Sequence, residues 1–482
     1  MNLKVNLVPY FFPFVKKLNY NSSSFKIIKA FFIAFLILNS IFISFYPNLA
    51  LQILSPFLSI WGFVLLLRSD GKGYFYTGFF LGILLFYWIS FSSIYFNLAW
   101  IIPFEILGIG LFYAILFRLI YMLKFDFLRL SAVFALSFLH PLGFDWLNWG
   151  ILTVYGSFDA SYKGIICIFL IAYFYYEKYI SRYYKIAIIL FLFFLGTQYE
   201  DKQVHKLNLD YKLVNTNISQ DQKLLAQKAG EYSDDIINEV FKAITQGKEL
   251  IILPEAAFNF DLKTYFGGFY YEFLKELSKQ ITIIVGAQSE EDKKFYNSTY
   301  IFSNNEVFTM HKHYLVPFGE EMPFFKDFFR QYLLQGFSDF SRGEPLNQYE
   351  LNGQIITNAL CYEATKEELY KHSKIIIALS NNAWFEPSSE PILQGLLIKF
   401  YASKYGVTVY HATNGGGSAV IEPKKSLFKK YILDNIPTFY KEIKDNNKSL
   451  IDGNLSLDEN ESLDENLSLE LNQSKTEANE SL

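Results

Sequence analysis

The chain divides by the spacing of its apolar residues. Up to residue 197, Phe, Ile, Leu and Tyr run in long blocks with few charges inside them; beyond residue 208 they come in short runs between amphipathic stretches. The long blocks predict membrane helices at 27–45, 49–67, 74–95, 98–123, 128–147, 162–176 and 184–197, because about 20 apolar residues cross the hydrocarbon core. The last two are short for that task. The first begins too far in, and is followed by too many others, to read as a removable leader. In the second half, runs at 211–218, 249–253, 281–287, 298–303, 354–361, 374–380, 407–413 and 418–421 predict strands. Stretches at 221–246, 263–279 and 391–405 predict helices between them. Such alternation argues an α/β layered domain with its working residues at strand ends.

Charge adds an orientation. Lys16, Lys17, Lys26 and Lys29 precede the first block; Arg68 and Lys72, then Lys124 and Arg129, then Lys178, Arg182 and Lys185 fall in every second loop. The alternate loops hold almost none, Lys163 excepted. Basic residues mark cytoplasmic loops, so the N-terminus is expected inside and everything after residue 197 outside. Inside the blocks, Glu105 and Arg118 are too far apart to pair on one straight helix. Arg118 reads as snorkelling and Glu105 as interfacial. His140 and Asp145, beside Pro141 and Gly143, read as a broken element packed at a helix end. Cys167, among Ile and Phe, reads as a buried small apolar residue.

Composition changes the picture little. The net charge of −4 and the lack of a dense basic block argue against a nucleic-acid partner. Two cysteines, far apart in sequence, give no disulfide framework. The domain layout expected is a membrane bundle over 1–197, a globular domain over 208–423, a connector over 424–444 and a tail over 445–482.

The candidate chemistry sits beside three strands. Glu255 follows Leu253-Pro254, Lys312 precedes Leu315-Val316-Pro317-Phe318-Gly319-Glu320, and Cys361 ends an apolar run. A thiol attacks as its thiolate and needs a base and a positive neighbour. Glu255 fits the base, Lys312 the cation that steadies thiolate and oxyanion, and the Tyr362 backbone N–H a second oxyanion donor. Singly, each residue also fits a solvated strand end, a surface charge or a core thiol. Together, in this chain order, they match the Glu-Lys-Cys machinery of the nitrilase superfamily. His311 and His313 flank Lys312 but face away from it on a strand, with no further ligand nearby, so no metal site is expected. No nucleotide loop or other cofactor motif is visible.

Neighbouring blocks sharpen the match. Lys312-His313-Tyr314-Leu315-Val316-Pro317-Phe318-Gly319-Glu320, Phe340-Ser341-Arg342-Gly343, Cys361-Tyr362-Glu363, Ser380-Asn381-Asn382-Ala383-Trp384-Phe385 and Thr413-Asn414-Gly415-Gly416 follow in order. With the membrane half, they resemble the apolipoprotein N-acyltransferases. That resemblance implies an α-helical transmembrane bundle joined to a nitrilase-like αββα sandwich. It implies transfer of an acyl chain from a membrane phospholipid, phosphatidylethanolamine above all, through a Cys361 thioester. The acceptor is the N-terminal amine of diacylglyceryl-cysteine on a prolipoprotein. By the same matches Glu320 orients Lys312, and Tyr362, Glu363 and Trp384 belong to the site. Three features depart from the pattern. Asn382 replaces the family's acid, Leu224 stands where a Trp usually follows Asn217-Ile218-Ser219-Gln220, and no terminal apolar span follows Ile421. Two other readings share some of these residues: a membrane-tethered amidase that hydrolyses a small amide, and a transporter or sensor with a degenerate nitrilase-like binding domain. Retention of all three residues argues against the last.

The tail repeats acid-x-Asn-x-Ser at Asn447, Asn454, Asn460, Asn466, Asn472 and Asn479. The pattern resembles the extended acceptor of bacterial oligosaccharyltransferases. It also fits a duplicated, solvated acidic segment that cannot bury a core.

Overall fold

The computed structural model describes residues 23–322 and 339–431; the six tail asparagines lie outside them. The first block forms two helices, Ser23–Ile37 and Asn39–Phe45, bent by 69° at their junction. The buried side chain of Asn39 holds that bend, donating to Leu36 O at 2.7 Å, Ser55 O at 3.1 Å and Ser59 Oγ at 2.8 Å. Leu49–Leu67, the continuous run Gly71–Phe96 and Ala99–Tyr121 are long and apolar enough to cross a membrane, and the bent pair makes a fourth if taken as one span. Against the seven expected spans, the 128–147 block differs most. Its helix stops at Ala135, and short 3-10 turns follow through Thr153. Pro141 and the left-handed Leu142 and Gly143 (φ 57° and 82°) prevent a helix there. Helices Tyr162–Tyr176 and Arg182–Gly196, 15 residues each, reach only about 22 Å at 1.5 Å per residue. Gly78 lets two of the long helices close up: a Cβ there would lie 2.4 Å from Tyr113 O.

The globular half holds two six-stranded sheets. Its strands are β1 (Tyr211–Leu213), β2 (Asn215–Thr216), β3 (Leu250–Ile252), β4 (Phe258–Asp261), β5 (Thr282–Glu291), β6 (Lys294–Ser303), β7 (Glu306–His311), β8 (Gln348–Leu351), β9 (Gln354–Leu360), β10 (Ile375–Asn381), β11 (Thr408–Asn414) and β12 (Ala419–Ile421). One sheet runs β1-β3-β5-β6-β7 with β4 beside β5; the other runs β12-β11-β10-β9-β8 with β2 beside β11. The expected single strand 211–218 is thus two, because the chain crosses from one sheet to the other at Val214. Strands β4, β7 and β8 were not expected.

Alternation along each strand builds the layers. Ile375, Ile377 and Leu379 of β10 join Leu250, Ile252 and Ile284 of the other sheet in a core between the sheets. The other face of the first sheet is covered by helices Ala229–Thr245 and Gly267–Leu277. On the second sheet, Ile376 and Ala378 pack under helix Glu390–Tyr405. That helix shares its core with the membrane half: Leu393, Leu397, Phe400 and Tyr401 lie in one cluster with Phe63, Trp149 and Phe169. Polar ties reinforce the junction. Lys424 Nζ donates to Thr153 O at 2.8 Å and Phe158 O at 2.6 Å, and Trp146 Nε1 donates to Thr365 Oγ1 at 2.8 Å.

Candidate active site

Three strand ends converge. After β3, Leu253-Pro254 carries Glu255 into a turn whose next residue, Ala256, is left-handed (φ 48°). The turn lies flat against β5 because residue 286 is glycine: a Cβ on Gly286 would lie 2.5 Å from Glu255 Cα and 2.8 Å from Ala256 N. Gly286→Ala is expected to displace Glu255 and cut catalytic turnover at least tenfold in an activity assay, since a misplacement of roughly 1 Å can cost 10²-fold. Lys312 follows β7; its N–H donates to Asn297 O and its carbonyl accepts from Gly343 N–H, both at 2.9 Å. Gly343 of the Phe-Ser-Arg-Gly block therefore secures the lysine. Cys361 directly follows β9 with φ 51°, a left-handed conformation costly for a side-chain-bearing residue and characteristic of functional turns.

These side chains line one cavity of about 580 Å³. Lys312 Nζ is 2.8 Å from Glu320 Oε2 and 3.7 Å from Glu255 Oε1. Asn297 bridges the two carboxylates, donating from Nδ2 to Glu255 Oε1 at 2.7 Å and to Glu320 Oε1 at 2.9 Å. The Asn381 N–H donates to the other Glu255 oxygen at 2.8 Å, and the Val316 N–H to Glu320 Oε2 at 2.9 Å. Burial alone would lower the Lys312 pKa, but Glu320 and Glu255 reverse this and hold it above its ordinary value. The amine stays charged. Burial and Glu255 push the Cys361 thiol well up, with Lys312 opposing them. The resting group is therefore a thiol, and attack needs a base to take its proton. Gln394 Nε2 approaches Cys361 Sγ at 3.9 Å, and its Oε1 accepts from Asn382 Nδ2 at 3.1 Å. The amide at 382 thus sits one step from the sulfur.

The other expected site residues divide. Glu320, Tyr362 and Trp384 line the cavity with Glu255, Lys312 and Cys361; Glu363 is absent from its lining. Buried Glu363 accepts from the N–H groups of His313 at 2.7 Å, Tyr314 at 3.1 Å and Leu360 at 2.9 Å. It joins the Lys312 and Cys361 strand ends to each other. Burial still raises its pKa against those bonds. Trp384 stands edge-on to Tyr95 with centroids 5.2 Å apart, and Phe385 packs on Trp88 at 4.8 Å. His311 and His313 are engaged with Ser298 Oγ and Gly343 O. Among the described residues no His/Cys/Asp/Glu group is arranged to hold a metal.

Sequence reasoning passed over several participants. Asn297, Gly286 and Gln394 carry no motif of their own. Asp145 was read as helix-end packing, yet it accepts from the Tyr362 hydroxyl at 2.8 Å and pairs with Lys366 at 3.0 Å. Phe144 stacks on the Tyr362 ring at 5.5 Å. The membrane half thereby grips the residue after Cys361. Asp145→Ala leaves the Lys366 ammonium only the Tyr362 hydroxyl and Gly143 O as partners, and is expected to cost about 2 kcal/mol in detergent unfolding, less than a wholly buried pair would.

The cavity continues between the two halves, past Phe86, Trp88, Phe96, Phe112, Tyr113 and Phe144. Leu224 lines it too, half exposed. The walls are thus apolar on the membrane side and charged where Cys361 sits.

Comparison with known proteins agrees with this geometry. Residues 24–197 match the family described as apolipoprotein N-acyltransferase integral membrane domain, and residues 213–444 match carbon-nitrogen hydrolase. Apolipoprotein N-acyltransferase of Campylobacter jejuni is 61% identical over 89% of this chain and 97% of its own. Those of Helicobacter hepaticus and Helicobacter pylori are 34% and 32% identical, over 72% and 74% of this chain and 88% and 85% of theirs. The chain is a membrane-embedded enzyme and belongs to the apolipoprotein N-acyltransferase family.

Proposed function

We propose that the reaction runs through Cys361 in two steps, with phosphatidylethanolamine as donor and a diacylglyceryl prolipoprotein as acceptor, at the periplasmic face of the inner membrane. Glu255 takes the thiol proton while sulfur attacks the ester carbonyl. Lys312 and the Tyr362 N–H hold the oxyanion. The C–O bond breaks, and Glu255 returns the proton to the lysophospholipid alkoxide. The α-amine of the acceptor then attacks the thioester; an N–C bond forms, the C–S bond breaks, and the amine's proton passes through Glu255 to restore the thiol. Glu320 positions Lys312, Glu363 fixes the strand ends, and Trp384 ties the site to the Tyr87–Phe96 segment.

The observation that carries this reading is the cavity that joins Cys361 to aromatic walls supplied by the membrane helices. A soluble amide needs no such walls, whereas an acyl chain fills them and keeps water from the thioester. The test is to incubate the purified protein with a phospholipid bearing a tagged acyl chain. A hydroxylamine-sensitive label on Cys361, discharged by a diacylated lipopeptide and not by water, is expected. Free fatty acid without any adduct would instead mark an amidase-type hydrolase. Glycosylation of the six tail asparagines by an oligosaccharyltransferase is a separate proposal, supported by the acid-x-Asn-x-Ser repeat and tested by the intact mass from the native host.

A further inference from the structure

The cavity holds a second cation that the chemistry above does not use. Lys223 ends the short helix Gln220–Lys223, is 5% exposed, and lines the same cavity as Cys361. Its backbone is well held, since its N–H donates to Ser219 O at 3.1 Å and its carbonyl accepts from Asn259 Nδ2. Its amine is not. Among the described residues no hydrogen bond or ion pair engages Nζ, whereas Lys312 Nζ is clamped by Glu320 and Glu255. The acid whose charge acts on Lys223 is Glu255, whose oxygens already serve Asn297 and the Asn381 N–H. Burial draws the amine down to about 8, so it is mostly charged at neutral pH. A leucine or methionine would fill this wall without the cost of a buried, unanswered charge. The cation is thus set for a ligand anion.

We propose that Lys223 anchors the phosphate of the acyl donor, its ammonium pairing with the phosphodiester anion while the ester carbonyl lies at Cys361. Only the three glycerol carbons separate ester from phosphate in such a lipid, so the anchor must belong to the same cavity as the nucleophile. Lys223 does. The inference rests on the donor being a phospholipid, as proposed above.

The test compares two donors with the same tagged acyl chain, phosphatidylethanolamine and uncharged diacylglycerol, in mixed micelles with full-length protein. Thioester formation on Cys361 is the readout. In Lys223→Met the ratio of the phospholipid rate to the diacylglycerol rate is expected to fall about 10- to 100-fold, the worth of one charge-assisted hydrogen bond. Lys223→Arg is expected to restore most of it. An unchanged ratio, whether both rates fall together or neither falls, would overturn the proposal. An unchanged ratio combined with inhibition of the wild type by millimolar inorganic phosphate, relieved in Lys223→Met, would assign the site to free phosphate instead. Absence of any adduct from phospholipid in the wild type would instead sink the donor reading itself.

Discussion

Cys361→Ala is expected to abolish the acyl adduct and lower acyl transfer by about 10,000-fold or more, the scale of losing a covalent nucleophile. No other thiol can substitute. Cys167 is buried in helix Tyr162–Tyr176, and a Cβ on Gly196 would lie only 3.1 Å from its sulfur. Folding should survive, since alanine keeps the Cβ at the φ 51° position and removes only a sulfur that lines a cavity. Equal melting temperatures in detergent, with no hydroxylamine-sensitive label, are the expected pair of results. Residual transfer above one per cent would mean that the thiol is not the nucleophile.

Lys312→Met carries the second largest effect and differs in kind. Removing the cation leaves the carboxylates of buried Glu255 and partly buried Glu320 side by side, bridged by Asn297. The two carboxylates then repel each other with no cation between them, which disturbs the placement of the base. The thiolate and the oxyanion also lose their fixed positive charge. A fall of about 1,000-fold or more in adduct formation is expected, together with a clear drop in melting temperature. Stability without Lys312 equal to wild type would contradict the clamp. Lys312 holds its proton far into the alkaline range, above its unfolded value. Its contribution to stability is therefore complete at neutral pH and fades only as pH rises through that raised pKa.

The residues that meet in the cavity were more legible in the sequence than the strands that carry them. Glu255 and Cys361 stand out because each follows an apolar run, Lys312 because it opens a distinctive short block, and the fold brings the three together. Asn297 and Gly286 stayed hidden because their importance is a matter of distance: one spans two carboxylates, the other makes room for a backbone. The missed strands had local signs. β6 and β7 meet at Asn304 and Asn305, β8 and β9 at Asn352 and Gly353, and all four residues have positive φ, as two-residue hairpin turns require. β4 had none. It pairs only with the edge of β5, and a register shift interrupts it. In the 128–147 block the break beside Pro141 and Gly143 was legible, but its extent was not: the helix already ends at Ala135. Its purpose, presenting Phe144 and Asp145 to Tyr362, exists only in three dimensions.

The core shared by helix Glu390–Tyr405 and the membrane half has a consequence for biogenesis. Phe400 fills the space over Gly150, where a Cβ would lie 2.4 Å from its ring, and Trp149 beside it is buried with Phe63 and Phe169. The outer layer over the second sheet is therefore completed only when the apolar half is in place, whereas the cores between the sheets and over the first sheet draw on the globular half alone. A defect in the membrane helices would thus reach the thiol through helix Glu390–Tyr405, whose Gln394 approaches Cys361.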